Sequence, residues 1–132
     1  MATSNDDVEA FLRRLDRAFE KVNAHTYLVS LGPNLPRAVL RVAAPVLVVQ
    51  VDVGDAPAGN PVLEAKLFRR LLELNATDLV YAAFGIESNR IVIDAALELS
   101  SMDMNELEAV LANLDLAIAE HVPELRDMVR QG

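Results

Sequence analysis

Apolar and polar positions alternate along this chain with two different periods. From Val8 to Val22 the apolar residues recur every three or four positions, with charged residues between them. This spacing predicts an amphipathic helix of about five turns, with Ser4 as its N-cap. Similar patterns predict a second helix over Pro61–Asn75, with Asn60 as its N-cap, and a third helix capped by Asp103.

Five other segments show the alternation or the short apolar runs of β-strands. They are Thr26–Leu31, Arg37–Ala43, Val46–Val53, Leu79–Ile86 and Arg90–Leu99. The last two are separated by Ser88-Asn89, which predicts a tight hairpin turn. The predicted order is therefore α-β-β-β-α-β-β-α in one domain, residues 1–132. It indicates an α+β fold in which helices pack on a five-stranded antiparallel sheet.

The segment Leu79–Ile86 offers apolar side chains to both faces of its predicted strand. A strand that is apolar on both faces needs a cover on each side, and a chain of 132 residues can build one of them. The simplest second cover is another copy of the chain. We therefore predict a homodimer with Leu79, Tyr81 and Ala83 at its interface, and Tyr81 as an aromatic anchor.

The early strands also carry aliphatic residues on the face that should meet water. Leu28 and Val39 fall on this outer face, with Val46 and Val48 beside them. Several such positions together are typical of a contact patch, although scattered exposed aliphatic residues are also ordinary. Both interpretations stay open, and under the first these four residues bind a protein or peptide partner.

Composition removes several classes of function. The 12 basic and 20 acidic residues give a net charge of −8, and this field repels phosphate backbones and anionic lipid. We therefore expect no nucleic-acid or membrane partner. There is no cysteine, which excludes disulfides and thiolate chemistry. The acidic N-terminus has no apolar signal core, so we expect a cytoplasmic protein.

The residues suited to catalysis do not form a recognisable constellation. His25 and His121 are the only histidines; a metal site needs two or more donors in register, so we interpret both as structural. No Gly-x-Ser-x-Gly motif is present. Asp52 and Asp55 lie near a glycine-containing loop but lack the ligand spacing of a calcium site. The sequence thus predicts no catalytic residues, no metal and no cofactor.

Three segments resemble one known family. The run Phe68–Asn75, the strand Ala82–Ile86, and the Arg-Ile-Val-Ile strand that precedes the helix beginning at Asn105-Glu106-Leu107 are similar to the YbjN family. The similarity extends from about Asp7 to Val122 and is clearest over Leu63–Leu116. The YbjN family in turn resembles the class I type III secretion chaperones in fold.

The resemblance implies a small, acidic, cytoplasmic homodimer without catalysis. Secretion chaperones of this shape hold an extended segment of an effector against apolar patches, and YbjN-like proteins are linked to stress responses and regulation. Nothing in the sequence identifies a secretion apparatus or an effector. We therefore predict a non-enzymatic, dimeric protein-binding module of the chaperone or adaptor type.

Two alternatives remain beside this prediction. A ligand-sensing or enzymatic domain would need a pocket of roughly 300 Å3 or more with convergent polar groups, and a closed sheet face with such a pocket near His121 or Asp52 would favour this alternative. A purely structural assembly subunit would need only its oligomeric contacts.

Overall fold

The computed structural model describes residues 4–131, which are organised around one antiparallel sheet of six strands. The strands are β1 (Phe19–Asn23), β2 (Thr26–Val29), β3 (Ala38–Ala43), β4 (Val46–Asp55), β5 (Ala83–Glu87) and β6 (Arg90–Glu98). Their spatial order is β1-β2-β3-β4-β6-β5. The first four strands therefore form a meander, and β6 lies between β4 and the edge strand β5.

Three helices complete the fold: α1 (Asn5–Arg14), α2 (Pro61–Thr77) and α3 (Met104–Gln131). Their N-termini are capped as predicted, because Ser4, Asn60 and Asp103 each accept a hydrogen bond from a backbone amide of the first turn. Each cap satisfies one of the amides that a helix start leaves without a partner. None of these helices combines the length and the apolar character that a bilayer crossing requires.

The strands alternate between a buried and an open side. On β4 the side chains of Leu47, Val49 and Val51 are fully buried, and Ile91 and Ile93 of β6 continue the same layer. The buried stripes of all three helices join this layer in one core. The predicted alternation is thereby confirmed, and the α+β fold is the predicted one with the helices on one face of the sheet.

The first helix is shorter than predicted, and the sheet gains a strand. α1 ends at Arg14, and Asp16 follows with a φ of 58°, a left-handed conformation that a helix cannot contain. The chain then forms β1, in which Phe19 pairs with Val29. The predicted count of five strands is therefore wrong by one, and the order is α-β-β-β-β-α-β-β-α.

The predicted strand Leu79–Ile86 is also too long at its start. α2 continues to Thr77, and the amides of Asp78 and Leu79 both bond to the carbonyl of Leu74, at 2.9 and 3.1 Å. Residues 79–82 connect this helix end to the sheet, and the strand begins only at Ala83. An apolar run of this length does not by itself distinguish a strand from a helix end and its connection.

The hairpin between β5 and β6 forms where it was predicted. Ser88 and Asn89 have φ angles of 49° and 62°, which matches the left-handed pair of a type I′ turn. The turn fixes the pairing of Phe84 with Ile93, so Phe84 points into the core.

Candidate protein-binding surfaces

The four predicted partner-binding residues lie together on the side of the sheet opposite the helices. We call this side the open face; its aliphatic residues are Leu28, Val39, Val46 and Val48. Leu28 and Val39 are direct cross-strand partners, whereas Val46 and Val48 lie two residues apart on the neighbouring strand β4. Val39 is 37% exposed, and the other three are half-buried. The outer-face position that the alternation indicated is therefore present in the structure.

Polar groups with unused hydrogen-bonding capacity surround these aliphatic residues. Gln50 donates to Glu87 at 2.7 Å across the open face. Arg41, which pairs with Val48 in register, has no ion-pair partner within residues 4–131. The Oδ1 atom of Asp94 is buried and accepts no hydrogen bond from any described residue. A buried oxygen without a donor is costly, and this oxygen lies beneath the surface that a bound segment would touch.

A shallow depression of about 140 Å3 marks the middle of the open face. It is lined by Val39, Arg41, Val48, Gln50 and Glu87. The two valines supply an apolar floor, and the charged residues lie around it. The depression is large enough for about one apolar side chain. Pockets of this size bind single side chains of an extended peptide and give specificity.

A second exposed apolar surface lies where α2 leads into β5. We call it the α2–β5 surface; its exposed residues are Leu72, Val80, Tyr81 and Ala83. The first three are 68%, 76% and 53% exposed, and Ala83 is also exposed. Leu79, the third predicted interface residue, packs partly against the core. Tyr81 and Ala83 are therefore accessible to a second protomer, whereas Leu79 has less exposed surface.

The free edge of β5 is partly occupied by a side chain of the same chain. Asn75 of α2 accepts from the amide of Phe84 at 2.7 Å and donates to its carbonyl at 3.1 Å. These two bonds imitate a neighbouring strand at one residue, and such a cover limits further strand pairing. This contact could not be predicted from the sequence, because an asparagine near a helix end is ordinarily interpreted as a cap.

Ion pairs fix the helices and the strand ends. Arg70 of α2 forms two hydrogen bonds with Glu124 of α3, at 2.8 and 3.0 Å, and this contact lowers the pKa of Glu124. Arg90 of β6 binds both Asp52 and Asp55, and its hydrogen bonds lower the pKa of Asp52. The two aspartates are therefore held by an arginine.

The two histidines lie apart. His25 is exposed in the turn between β1 and β2, whereas His121 is only 5% exposed and its Nε2 lies 3.5 Å from a carboxylate oxygen of Asp78. Asp78, Glu120 and His121 offer three possible ligand atoms that lie within 4.8 Å of one another. A tetrahedral zinc site places its ligand atoms roughly 3.3 Å apart, and neighbouring helix residues point in different directions. We therefore interpret His121 as a structural residue that joins α3 to the end of α2 through its contact with Asp78.

One sizeable pocket is lined by residues that neighbour Asp52 and His121 in sequence, where the alternative of a ligand-sensing or enzymatic domain expects one. It has a volume of about 410 Å3 and lies on the helix side of the sheet, between the end of β4 and the C-terminal half of α3. Its lining combines buried apolar residues such as Ile91 and Leu125 with the exposed Arg126. It exceeds the roughly 300 Å3 expected of a ligand site. Beside it, a β-bulge shifts the register of β4 between Asp52 and Gly54, and the pairing resumes at Gly54 with Ile91.

The family model of the CesT_Tir_1 proteins matches residues 1–131 of this chain. The chain belongs to the CesT_Tir_1 family. This is a family of type III chaperones, and the predicted resemblance to such chaperones and to YbjN is confirmed. None of the curated proteins matches the sequence.

Two solved structures have a fold similar to that of this chain. A chain of the heterodimeric ExoU–SpcU complex from the type III secretion system of Pseudomonas aeruginosa is 18% identical, with a TM-score of 0.70; the match covers 88% of this chain and 95% of that one. YbjN from E. coli is 15% identical, with a TM-score of 0.65 and coverage of 91% and 92%. Family and fold together support a partner-binding chaperone.

Proposed function

We propose that this chain is a cytoplasmic, non-enzymatic chaperone or adaptor that works as a homodimer and holds an extended segment of a partner protein on its open face. The observation that carries the proposal is the cluster of four aliphatic residues on the side of the sheet without helices. Type III chaperones are the family of this chain, and the proposal gives this cluster the task of binding the partner.

The bound segment should cross the strands of the open face. The edge of β5 is covered at Phe84 by Asn75, so a segment cannot add there as a regular strand without displacing that side chain. The open face has no such obstacle, and its central depression accepts an apolar side chain. Contact through side chains on this face is therefore favoured over strand addition at β5.

The charges of the open face indicate the composition of the segment. Glu87, Asp94 and Glu98 lie on β5 and β6, whereas Arg41 lies on β3 beyond the valines of β4. Complementary charge directs the orientation of a bound chain more than its affinity. We expect a segment whose apolar residues contact Val39 and Val48 and whose basic residues lie over β5 and β6.

Val39→Asp tests this proposal. A carboxylate at this position places charge in the apolar contact, and burying it on binding is costly. We expect tagged wild-type protein to retain one stoichiometric partner from a lysate of the source cells, and Val39→Asp to lose it while its circular dichroism is unchanged. The matched control is Leu116→Asp, since Leu116 is 67% exposed on α3. Equal recovery by the wild type and both variants would contradict the proposed surface.

A further inference from the structure

The pocket beside the C-terminal half of α3 has the features of a site for a small amphipathic anion. Its apolar wall is formed by Val53, Ile91, Val122, Leu125 and Val129. Three of these residues are almost completely buried, whereas Val129 is 41% exposed at the mouth. The volume of about 410 Å3 lies in the range typical of small-molecule sites. The apolar surface that an alkyl chain can touch is therefore mainly that of Val53 and Val129, with the nearly buried side chains beneath them.

The rim of the pocket is positive although the protein as a whole is negative. Arg126 lines the pocket and has no carboxylate within ion-pair distance among residues 4–131. Arg130, one turn further along α3, contacts only Asp127 at 3.4 Å in an exposed pair, and such pairs are weak. Asp55 is the acidic residue of the rim, and Arg90 already holds it.

Arginines in the last turns of a helix often only complement the helix dipole. That explanation accounts for Arg130, which lies in the final turn of α3. It does not account for the position of Arg126 beside an apolar pocket. A guanidinium next to a buried apolar wall is suited to bind a carboxylate whose alkyl chain enters the pocket.

We propose that this pocket binds a medium-chain fatty acid, with its carboxylate on Arg126 and its chain against Val53 and Val129, above Ile91 and Leu125. The site is separate from the proposed partner surface, because Val53 and Ile91 face the helices, whereas Val39 and Val48 line the open face. The proposal therefore goes beyond the chaperone function and does not depend on it.

The test is titration of the full chain with decanoate, followed by calorimetry and by methyl NMR. We expect saturable binding with shifts at Ile91, Val122 and Leu125. Arg126→Gln should weaken it on the order of tenfold, as for the loss of one charge-assisted hydrogen bond. Arg69→Gln, on the exposed side of α2, is the matched control and should bind as the wild type does.

Three further measurements separate this site from unspecific apolar binding. Decanol and decyltrimethylammonium should bind more weakly than decanoate, and Val39→Asp should bind decanoate normally, which distinguishes the pocket from the open face. Val129→Asp, a change at an exposed position, should weaken the binding of decanoate because it places a second negative charge at the mouth of the pocket. The proposal is overturned if decanoate does not saturate the protein, if the three ligands bind equally, or if Arg126→Gln leaves the affinity unchanged.

Discussion

Single ion pairs join parts of the chain that are distant in sequence. Arg70 and Glu124 are 54 residues apart and connect α2 to α3 through two hydrogen bonds. Arg90 gathers Asp52 and Asp55 in the same manner at the sheet end. The sequence predicts that such residues face water, but not which of them meet, because their partners are fixed only by the packing of the helices.

The Arg70–Glu124 pair should make stability depend on pH. Its hydrogen bonds hold the pKa of Glu124 below the ordinary value of 4.5, so the pair stabilises the folded state fully above that pH and less as the pH falls through the lowered pKa. We expect Glu124→Gln to be less stable than the wild type near neutral pH and the difference to shrink on acidification below about 4.5.

Urea unfolding of both proteins between neutral pH and the acidic limit of folding measures this difference. Arg69→Gln, an exposed charge change next to Arg70 on α2, serves as the control. A constant difference between wild type and Glu124→Gln across the range would show that the charge of Glu124 is not involved.

Among the helices and strands, those with a regular apolar pattern were predicted correctly, whereas the element ends and the short strand β1 were not. The long strands β4 and β6 were predicted from alternation because each buries most of the residues on one face. β1 was missed, since only Phe19 of its five residues is drawn into the core and Val22 is exposed. A short edge strand with one buried residue carries no alternation, and its apolar positions happened to fit the helical period.

The open face could be predicted because it follows from the same alternation. Leu28, Val39, Val46 and Val48 are assigned to it by parity alone, and the register then places them together. The predicted interface residues Tyr81 and Ala83 are exposed on the α2–β5 surface, but the segment that carries them is a connection up to residue 82 and a strand only from Ala83. The 410 Å3 pocket depends on how α3 passes the end of β4, which no local pattern contains.

Asn75 should be important for the position of the edge strand β5. Asn75→Ala removes both hydrogen bonds to the backbone of Phe84, and we expect a loss of about 1–2 kcal/mol in the free energy of unfolding. Chemical denaturation measures the loss, and Thr77→Ala, which removes an exposed bond within α2, is the control. Equal stability of Asn75→Ala and the wild type would contradict the assigned role.

At the scale of the whole molecule, the exposed apolar surfaces divide between two tasks. The open face lies on one side of the sheet, and the α2–β5 surface lies at its β5 edge. The proposed homodimer uses the second surface and leaves the first free in both copies. A partner segment could then extend across both protomers, which multiplies its contacts without any new type of site.

Tyr81→Asp should separate the dimer without unfolding the protomer. The side chain is 53% exposed, so a carboxylate there is tolerated in the monomer but costly in an apolar interface. We expect light scattering to give about twice the chain mass for the wild type and for Tyr81→Phe, and the single mass for Tyr81→Asp. A monomeric wild type would refute the dimer, and a dimeric Tyr81→Asp would place the interface elsewhere.

Photo-crosslinking in the source cells shows which surface of the protein contacts the partner. A photoreactive amino acid is placed at Val39 or Val48 on the open face, and at Leu116 on α3 as the comparison. We expect the same partner protein to be crosslinked from Val39 and from Val48 but not from Leu116. The crosslinked segment of the partner should contain apolar and basic residues. Crosslinks to that partner from Leu116 alone, or no partner from either valine, would contradict the open face as the binding surface.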